Sequence, residues 1–549
     1  MGSNVNAPRV RRSVRDLQKR YDNGEKKPLE DLVRAWVGIQ ALPPSDPKSF
    51  FALGGYHGEP FQYRKPVDAL PQDDIYPYWG GYCNHGNVLF PTWHRMYVYK
   101  LEEALQSIVP GVSMPFWDET DEYTLKHGIP SILTQEKFEL DGKQIDNPLR
   151  SFVLPVALSD RLPGDGNIYE KPKGYVTVRY PLSGLVGTPE ALEQTKIHNA
   201  KFPLPEKNTE LLNSNVRAWL KGDSPTPGDP DPTRNGVYAK YVRCLSAPNY
   251  TVFSNTTSAS VWNSSNPGLV TPVESPHNDI HLAVGGFDYG GDEIGQIAGA
   301  NGDMGENNTA GMDPIFFFHH CNVDRMFWVW QKQTGHTDRL DIIRNYPGTN
   351  ASDSQGPTPG FAPGESLNLT TPLNPFKKAS GEAYTSEDCI NIERQLGFTY
   401  GPGSLDDATP ELKSLLAVPS GNSTKKLTVT GIDRAQIQGS FIMKAYASVT
   451  DANGKTREYY LGHKSILSRW NVVQCANCLT HLDIVAHFPL SAMPADDVPK
   501  AKFRVEFIHR GGGVPSAAKA AIDKVSALQP KFEVSDKLAA ALEHHHHHH

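Results

Sequence analysis

The stretch NHGNVLFPTWHRMYVYKLEEAL, residues 84–105, constrains this chain more than any other, because it sets His85 and His94 on a largely apolar, helix-prone segment. Trp93, Tyr97, Leu101, Ala104, Leu105 and Ile108 recur at spacings of three and four, which predicts an amphipathic helix over 91–108. His94 lies beside that stripe, three residues before Tyr97. An imidazole without a partner is costly in such surroundings. Each buried histidine therefore needs an acceptor or an ion.

A second set of histidines raises the same question. His277 and His281, in ESPHNDIHLAV (274–284), stand four apart on a predicted helix, close enough to share an ion. Asp313-Pro314 opens a further helix, since Asp suits an N-cap and Pro a first turn; it continues as IFFFHHCNVDRMFWVWQKQ. His320 lies on it, with Phe316, Asp324 and Phe327 along its own face. One H-x3-H pair is a weak signal, but with His320 it makes a three-histidine group with no carboxylate. The first half of the chain offers a match: His57 in GGYHGEPF, His85, and His94. Imidazole-only coordination suits copper, zinc, iron or nickel and disfavours magnesium and calcium. Two such groups on helices of one bundle point to a dinuclear centre. The competing reading, separate core histidines bonded to carbonyls, weakens with each matched histidine.

Around these motifs the chain divides. PLEDLVRAWVGIQAL, residues 28–42, predicts an ordinary core helix. Residues 125–250 are rich in Pro, Gly and charge and read as long loops decorating a helical body, and after Tyr346 the composition is again that of a loop. From Lys425, the segments KKLTVTGI, GSFIMKAYASVT, REYYLGHKSIL, LTHLDIVAHFPL and KFRVEFIHR alternate at period two, with DANGK as a hairpin turn. The expected fold class is mainly α: a four-helix-bundle core with long loops over residues 1–402, a linker over 403–424, and a C-terminal β-sandwich-like domain over 425–536. A chain of 549 residues has room for both, since single cores stop growing at roughly 250–300 residues. The tail KLAAALEHHHHHH, 537–549, is vector-derived.

Composition excludes some partners. Hydrophobic residues at 38% and charged residues at 21% are those of a globular protein, and a net charge of −7 gives no sign of a nucleic-acid partner. No run approaches the ~20 apolar residues that span a bilayer, so no membrane partner is expected. The basic segment RVRRSVRDLQKR is not followed by an apolar stretch, and MGSNVN lacks the Ser or Thr of a myristoylation signal. A cytoplasmic location is the expectation. Seven Asn-x-Ser/Thr triplets, from Asn249 to Asn422, carry meaning only in a secreted protein. Six cysteines are too sparse for a disulfide framework, and reduced thiols are expected. Cys475 and Cys478 form C-x2-C, readable as half a zinc site, a redox pair or a soft Cu(I) pair; without a second pair, structural zinc is disfavoured.

Two longer patterns carry a family resemblance. HGNVLFPTWHRMYVYKLE (85–102) resembles the CuA signature of tyrosinases, and DPIFFFHHCNVD (313–324) their CuB signature, shared with catechol oxidases and molluscan haemocyanins. WGGYCNHGN, SPHNDIHLAVGG, GANGDMGEN and QCANC are similar to the long fungal tyrosinases that carry a C-terminal shielding domain. The resemblance covers most of the chain. It implies two copper ions, CuA held by His57, His85 and His94 and CuB by His277, His281 and His320, with His319 a supporting or packing residue. It implies a thioether from Cys83 to His85, where the bland alternative is a small buried residue.

Further roles follow from the same likeness. Glu274 and Asn278 would hold a water as general base; otherwise Asn278 bonds nearby backbone and Glu274 favours the helix dipole. Leu282 would leave the pocket apolar and open to an aromatic ring. Cys475 and Cys478 would deliver Cu(I), and HKSILSRW would place a plug, Ile466, in the pocket until a protease acts. The implied activity is a latent tyrosinase using dioxygen on small phenols, ortho-hydroxylating monophenols and oxidising o-diphenols to o-quinones; an oligomer is possible. A catechol oxidase shares the coppers without the hydroxylation. A haemocyanin-like oxygen carrier is built of repeats, and no repeat of the motifs occurs here. A zinc hydrolase would be excluded by metal analysis.

Overall fold

The computed structural model describes residues 7–58, 81–161, 168–222, 231–289, 302–353, 358–434, 437, 439–468, 483–509 and 529–535. Cys475 and Cys478 lie outside the described residues. Four helices carry five of the six predicted ligands: α1 (Phe50–Gly58), α2 (Phe90–Ile108), α3 (Glu274–Val284) and α4 (Ile315–Thr334); His85 lies in the loop before α2. Pro91 occupies the first turn of α2, where its missing N–H costs nothing, and Gly335 closes α4 at φ 74°. α4 begins just past its Asp-Pro signal: Asp313 accepts the Ile315 N–H at 3.0 Å and pairs with Arg179 at 2.9 Å.

Buried ion pairs brace these helices beneath their histidines. From α2, Arg95 Nε donates to Asp324 of α4 at 2.6 Å, and its remaining donors reach Gln331 and the carbonyls of Cys389 and Ile390. A buried guanidinium is tolerable only when its donors are satisfied in this way. Glu102, also on α2, holds Arg11 at 2.9 Å. Of the basic N-terminal stretch Arg11 is thus core, and Arg9–Arg11 adds a parallel strand to Phe398–Tyr400. α1 fits only because Gly58 has no side chain: a Cβ there would overlap the Asn308 carbonyl oxygen.

Residues 125–250 depart from the loop expectation. They include helices Pro189–Asn199, Pro205–Lys221 and Val237–Cys244. Charged exposed faces mask short apolar sets, such as Leu212, Val216, Trp219 and Leu220, that face the body.

The C-terminal region is strand-rich, as its alternation predicts: β1 (Lys426–Asp433), β2 (Phe441–Thr450), β3 (Thr456–Ile466), β4 (Asp483–Pro489), β5 (Lys502–His509) and β6 (Lys531–Ser535). Two antiparallel three-stranded sheets, ordered β3-β2-β5 and β4-β1-β6, enclose one core that includes Leu427, Val429, Met443, Leu461, Ile484 and Phe488. The turn between β2 and β3 is the DANGK hairpin, with Gly454 at φ 79°. Strand β6, only five residues with Lys and Glu on it, escapes the sequence pattern.

The two regions meet along β3, which packs on α3. Gly462 of β3, at φ 129°, lies so close to Asn235 that a Cβ would sit 2.8 Å from it. Leu467 and Ile442 join the hydrophobic core of the helical body, and the Asn307 N–H donates to the Ser468 carbonyl at 3.1 Å. Among the described residues no helix is long and apolar enough to cross a membrane.

Candidate metal centre

The histidines are aimed by acceptors at one ring nitrogen. His94 Nδ1 donates to the Phe90 carbonyl one turn back at 2.8 Å, and its buried Nε2 has no hydrogen-bond partner among the described residues. His57 Nδ1 donates to the Asn307 carbonyl at 2.9 Å, His281 Nδ1 to the Met304 carbonyl at 2.8 Å, and His277 Nδ1 to Asn278 Oδ1 at 2.8 Å. An acceptor at Nδ1 sets the tautomer and turns Nε2 into a lone-pair donor. Met304 and Asn307 belong to the GANGDMGEN segment, so that motif acts through its backbone.

In the second group the Nε2 of His320 lies 3.2 Å from that of His277 and 3.5 Å from that of His281. However His320 is protonated, at most one proton serves three converging nitrogens. These separations match the ~3.3 Å edge of a tetrahedron whose metal–nitrogen bonds are ~2.0–2.1 Å. The donor set fits a cation.

The first group is built alike. Ring centroids of His57, His85 and His94 lie 5.1 to 5.9 Å apart, and a His94–His320 stack at 4.4 Å joins the two groups. The sulfur of buried Cys83 and ring nitrogens of His57 and His85 all lie within 4.8 Å of one another. Burial, reinforced by the neighbouring imidazoles, holds His94, His277, His281 and His320 well below the usual histidine pKa. They are neutral at pH 7, the form that ligates metal. All six predicted ligand positions are thus brought together.

His319 also comes within ligand reach of the second group, yet both its nitrogens are engaged. Nδ1 meets Glu119 at 2.5 Å and Nε2 faces the His277 carbonyl at 3.2 Å. Tyr241 donates to the other oxygen of Glu119. His319 therefore props α3 against α4, as a supporting residue would.

Between His277 and His281, Asp279 points away from the centre. Lys240 reaches it at 2.9 Å and His463, from β3, at 3.1 Å. Burial would raise this carboxyl, but Lys240 and His463 outweigh it and hold it well below the usual range. Glu119, Lys240 and His463 were not singled out by the sequence: one sits in a turn, one in a segment that reads as loop, and one on a strand far along the chain.

A cavity of about 950 Å³ is lined by His85, Glu274 and Asn278 from the body and by Lys464, Ile466 and Leu467 from the C-terminal region. Glu274 does not simply stabilise its helix dipole. It accepts N–H bonds from Gly86 at 2.9 Å and Thr256 at 2.9 Å, tying the loop after His85 to α3. Burial pushes its carboxyl up to about 7 against these donors. Asn278 bonds the His277 ring rather than backbone, so one lone pair of its amide oxygen is already in use. Leu282, expected at the pocket, is fully buried in the body's core and does not line the cavity. One residue beyond His281, it is rotated ~100° away around the helix. Ile466 borders the cavity but packs within the β core, whereas the next residue, Leu467, turns into the helical body.

Comparison with known proteins agrees with this architecture. The family model for the common central domain of tyrosinase matches residues 47–333. A tyrosinase of Hahella sp., HcTyr2, is 65% identical over 510 residues, covering 91% of this chain and 92% of its own. The tyrosinase of Aspergillus oryzae is 42% identical, covering 89% and 90%. Among solved structures, the tyrosinase from Burkholderia thailandensis at high pH aligns with a TM-score of 0.84 at 89% identity, over 96% of this chain and 100% of that one. A variant of the Aspergillus oryzae pro-tyrosinase shares the fold, with a TM-score of 0.59 at 17% identity over 96% of this chain and 93% of its own. The relatives are bacterial as well as fungal, so the likeness extends beyond the fungal enzymes. The chain belongs to the tyrosinase family, copper-dependent oxidoreductases that use a pair of copper ions and dioxygen on phenolic substrates.

Proposed function

We propose that this chain is a latent tyrosinase that ortho-hydroxylates monophenols and oxidises o-diphenols to o-quinones. His57, His85 and His94 would hold CuA, and His277, His281 and His320 would hold CuB. The metal pair, when bound, supplies the two-electron activation of dioxygen. The protein's own residues then have four tasks. Carbonyl and amide acceptors at Nδ1 keep five-membered rings from turning. A Cys83 thioether would fix the His85 ring before metal arrives. Glu274, on the cavity wall, takes the phenolic proton, directly or through a water shared with the Asn278 amide. Leu467, with Ile466 beside it, covers the cavity until the C-terminal region is cut away or displaced by a protease. Cys475 and Cys478 keep their proposed role in Cu(I) delivery.

One observation carries the reading: a buried carboxylate raised to about 7 shares a cavity with His85, under a segment of the strand-rich region. A base with that acidity can remove a phenolic proton near neutral pH, which hydroxylation requires and a catechol oxidase does without.

The test is quinone formation from a simple monophenol by the copper-loaded protein after limited proteolysis between the two regions, with an o-diphenol in parallel. Both substrates are expected to turn over; turnover of the diphenol alone makes the protein a catechol oxidase. The cover has its own test. In the uncut chain Leu467→Ala is expected to raise diphenol turnover about 30-fold, because losing a buried leucine weakens the closed arrangement by ~2 kcal/mol. Equal latency in the variant would clear Leu467 of that role.

A further inference from the structure

The cavity wall contributed by the C-terminal region carries two cations, neither in an ion pair with a carboxylate among the described residues, although Lys464 feels the charges of Glu274 and Asp279. Arg434, directly after β1, lines the cavity, and its buried Nε and Nη2 have no hydrogen-bond partner among the described residues. Lys464, on β3 two residues before Ile466, lines the same space. Neither side chain is in an ion pair with a described residue. This contrasts with Arg11, Arg95, Arg179 and Lys240, buried cations that each have a carboxylate within 3.0 Å. A buried guanidinium left unpaired is strongly unfavourable, so its presence calls for an anionic partner that the described residues do not supply.

Of the carboxylates lining the cavity two are engaged by N–H groups, and Asp483, in register with Asp433 beside Arg434, is not in an ion pair with Arg434 or Lys464. Asp353 accepts the N–H groups of Gly348 at 2.7 Å and Asn350 at 3.1 Å. Glu274 is held by Gly86 and Thr256. Asp483 is exposed at the start of β4. Burial lowers Arg434 to about 10 and Lys464 to about 8, which leaves both charged at neutral pH. A planar guanidinium beside an ammonium matches a carboxylate, whose two oxygens can take bidentate and point-charge donors together.

We infer that Arg434 and Lys464 form an anion subsite with which the uncut chain binds aromatic carboxylates in the cavity. This rests on reading the cavity as the phenol site, and it gives the C-terminal region a ligand-binding part in the uncut chain beyond covering the centre. The same cut that uncovers the cavity removes the subsite.

The test measures binding by calorimetry to the full-length copper-loaded chain, with 3-phenylpropionate against its neutral amide, 3-phenylpropanamide. The wild-type chain is expected to prefer the carboxylate about tenfold, the size of one charge-assisted hydrogen bond. Arg434→Gln is expected to bring the ratio of the two affinities near one, and Lys464→Met to reduce it partway, with unfolding curves showing that each variant is folded. Loss of the preference after removal of the C-terminal region would agree. No preference in the wild type, or one that survives both substitutions, overturns the inference. So does acetate competing as well as 3-phenylpropionate, because the site would then bind small anions without regard to the ring. Because the readout is a ratio of binding constants, its failure leaves the quinone assay untouched, and failure of the quinone assay leaves the ratio measurable.

Discussion

Replacing His281 with alanine is expected to lower bound copper from two ions per chain to about one, and to cut o-diphenol oxidation by ~1,000-fold or more, the several kcal/mol a Lewis-acid metal contributes. The prediction comes from the geometry of the second group, where the Nε2 atoms of His277 and His281 both face that of His320 at 3.2 and 3.5 Å. Removing one leaves two neutral nitrogens, too few for a stable site of this kind. His320→Ala should behave the same way. His319→Gln should not, although His319 lies as close to the other three rings as a ligand would. Its nitrogens already serve Glu119 and the His277 carbonyl. That variant is expected to keep about two ions per chain while affinity falls ~10- to 100-fold, the usual consequence of loosening a ligand's support. Metal analysis after dialysis checks all three. If His319→Gln loses an ion and His320→Ala keeps both, the ligand assignment at that pair is reversed.

The gathering of the histidines was legible because the helix repeat is local. His277 and His281 share a face by spacing alone, and His94 and His320 betray themselves by lying along apolar stripes. The strands were legible for the same reason, since alternation at period two needs no knowledge of the partner. What holds the histidines was not legible. Three of the four Nδ1 acceptors are backbone carbonyls, of Phe90, Met304 and Asn307, and a carbonyl leaves no mark in a sequence. The Asp279, Lys240 and His463 contact joins residues up to 223 positions apart, and only the docking of β3 on α3 makes them neighbours. Residues 189–221 read as loop because charged residues and prolines are interspersed with the apolar ones, yet helices there bury Leu212 and Trp219. Tertiary burial, not intrinsic pattern, decides such segments.

Glu274→Gln is expected to separate the two phenol oxidations, lowering kcat/KM for a monophenol by ~1,000-fold, within the range of a general base, while an o-diphenol loses ~10-fold or less. The glutamine keeps the shape, and its one acceptor oxygen, at the Oε1 position, can take the Thr256 N–H at 2.9 Å and the Gly86 N–H at 3.1 Å, while its amide nitrogen replaces the oxygen nearest Gly86. The pH dependence supplies a second signature. Burial raises this carboxyl to about 7 in the folded chain, above the ~4.5 of an unfolded one. Between those values the folded chain holds a proton that the unfolded chain has released, so wild-type stability falls as pH rises through that window. The glutamine variant has no such slope from this site. In copper-free protein its stability relative to wild type should therefore grow by about 3 kcal/mol from pH 4.5 to above pH 7, measured by denaturant unfolding. Bound copper adds positive charge nearby and lowers the carboxyl again. The acid limb of monophenol oxidation in the loaded enzyme is thus expected below pH 7 and should be missing in the variant. Should both substrates lose activity equally, Glu274 acts by anchoring Gly86 beside His85, and the proton must leave by another route.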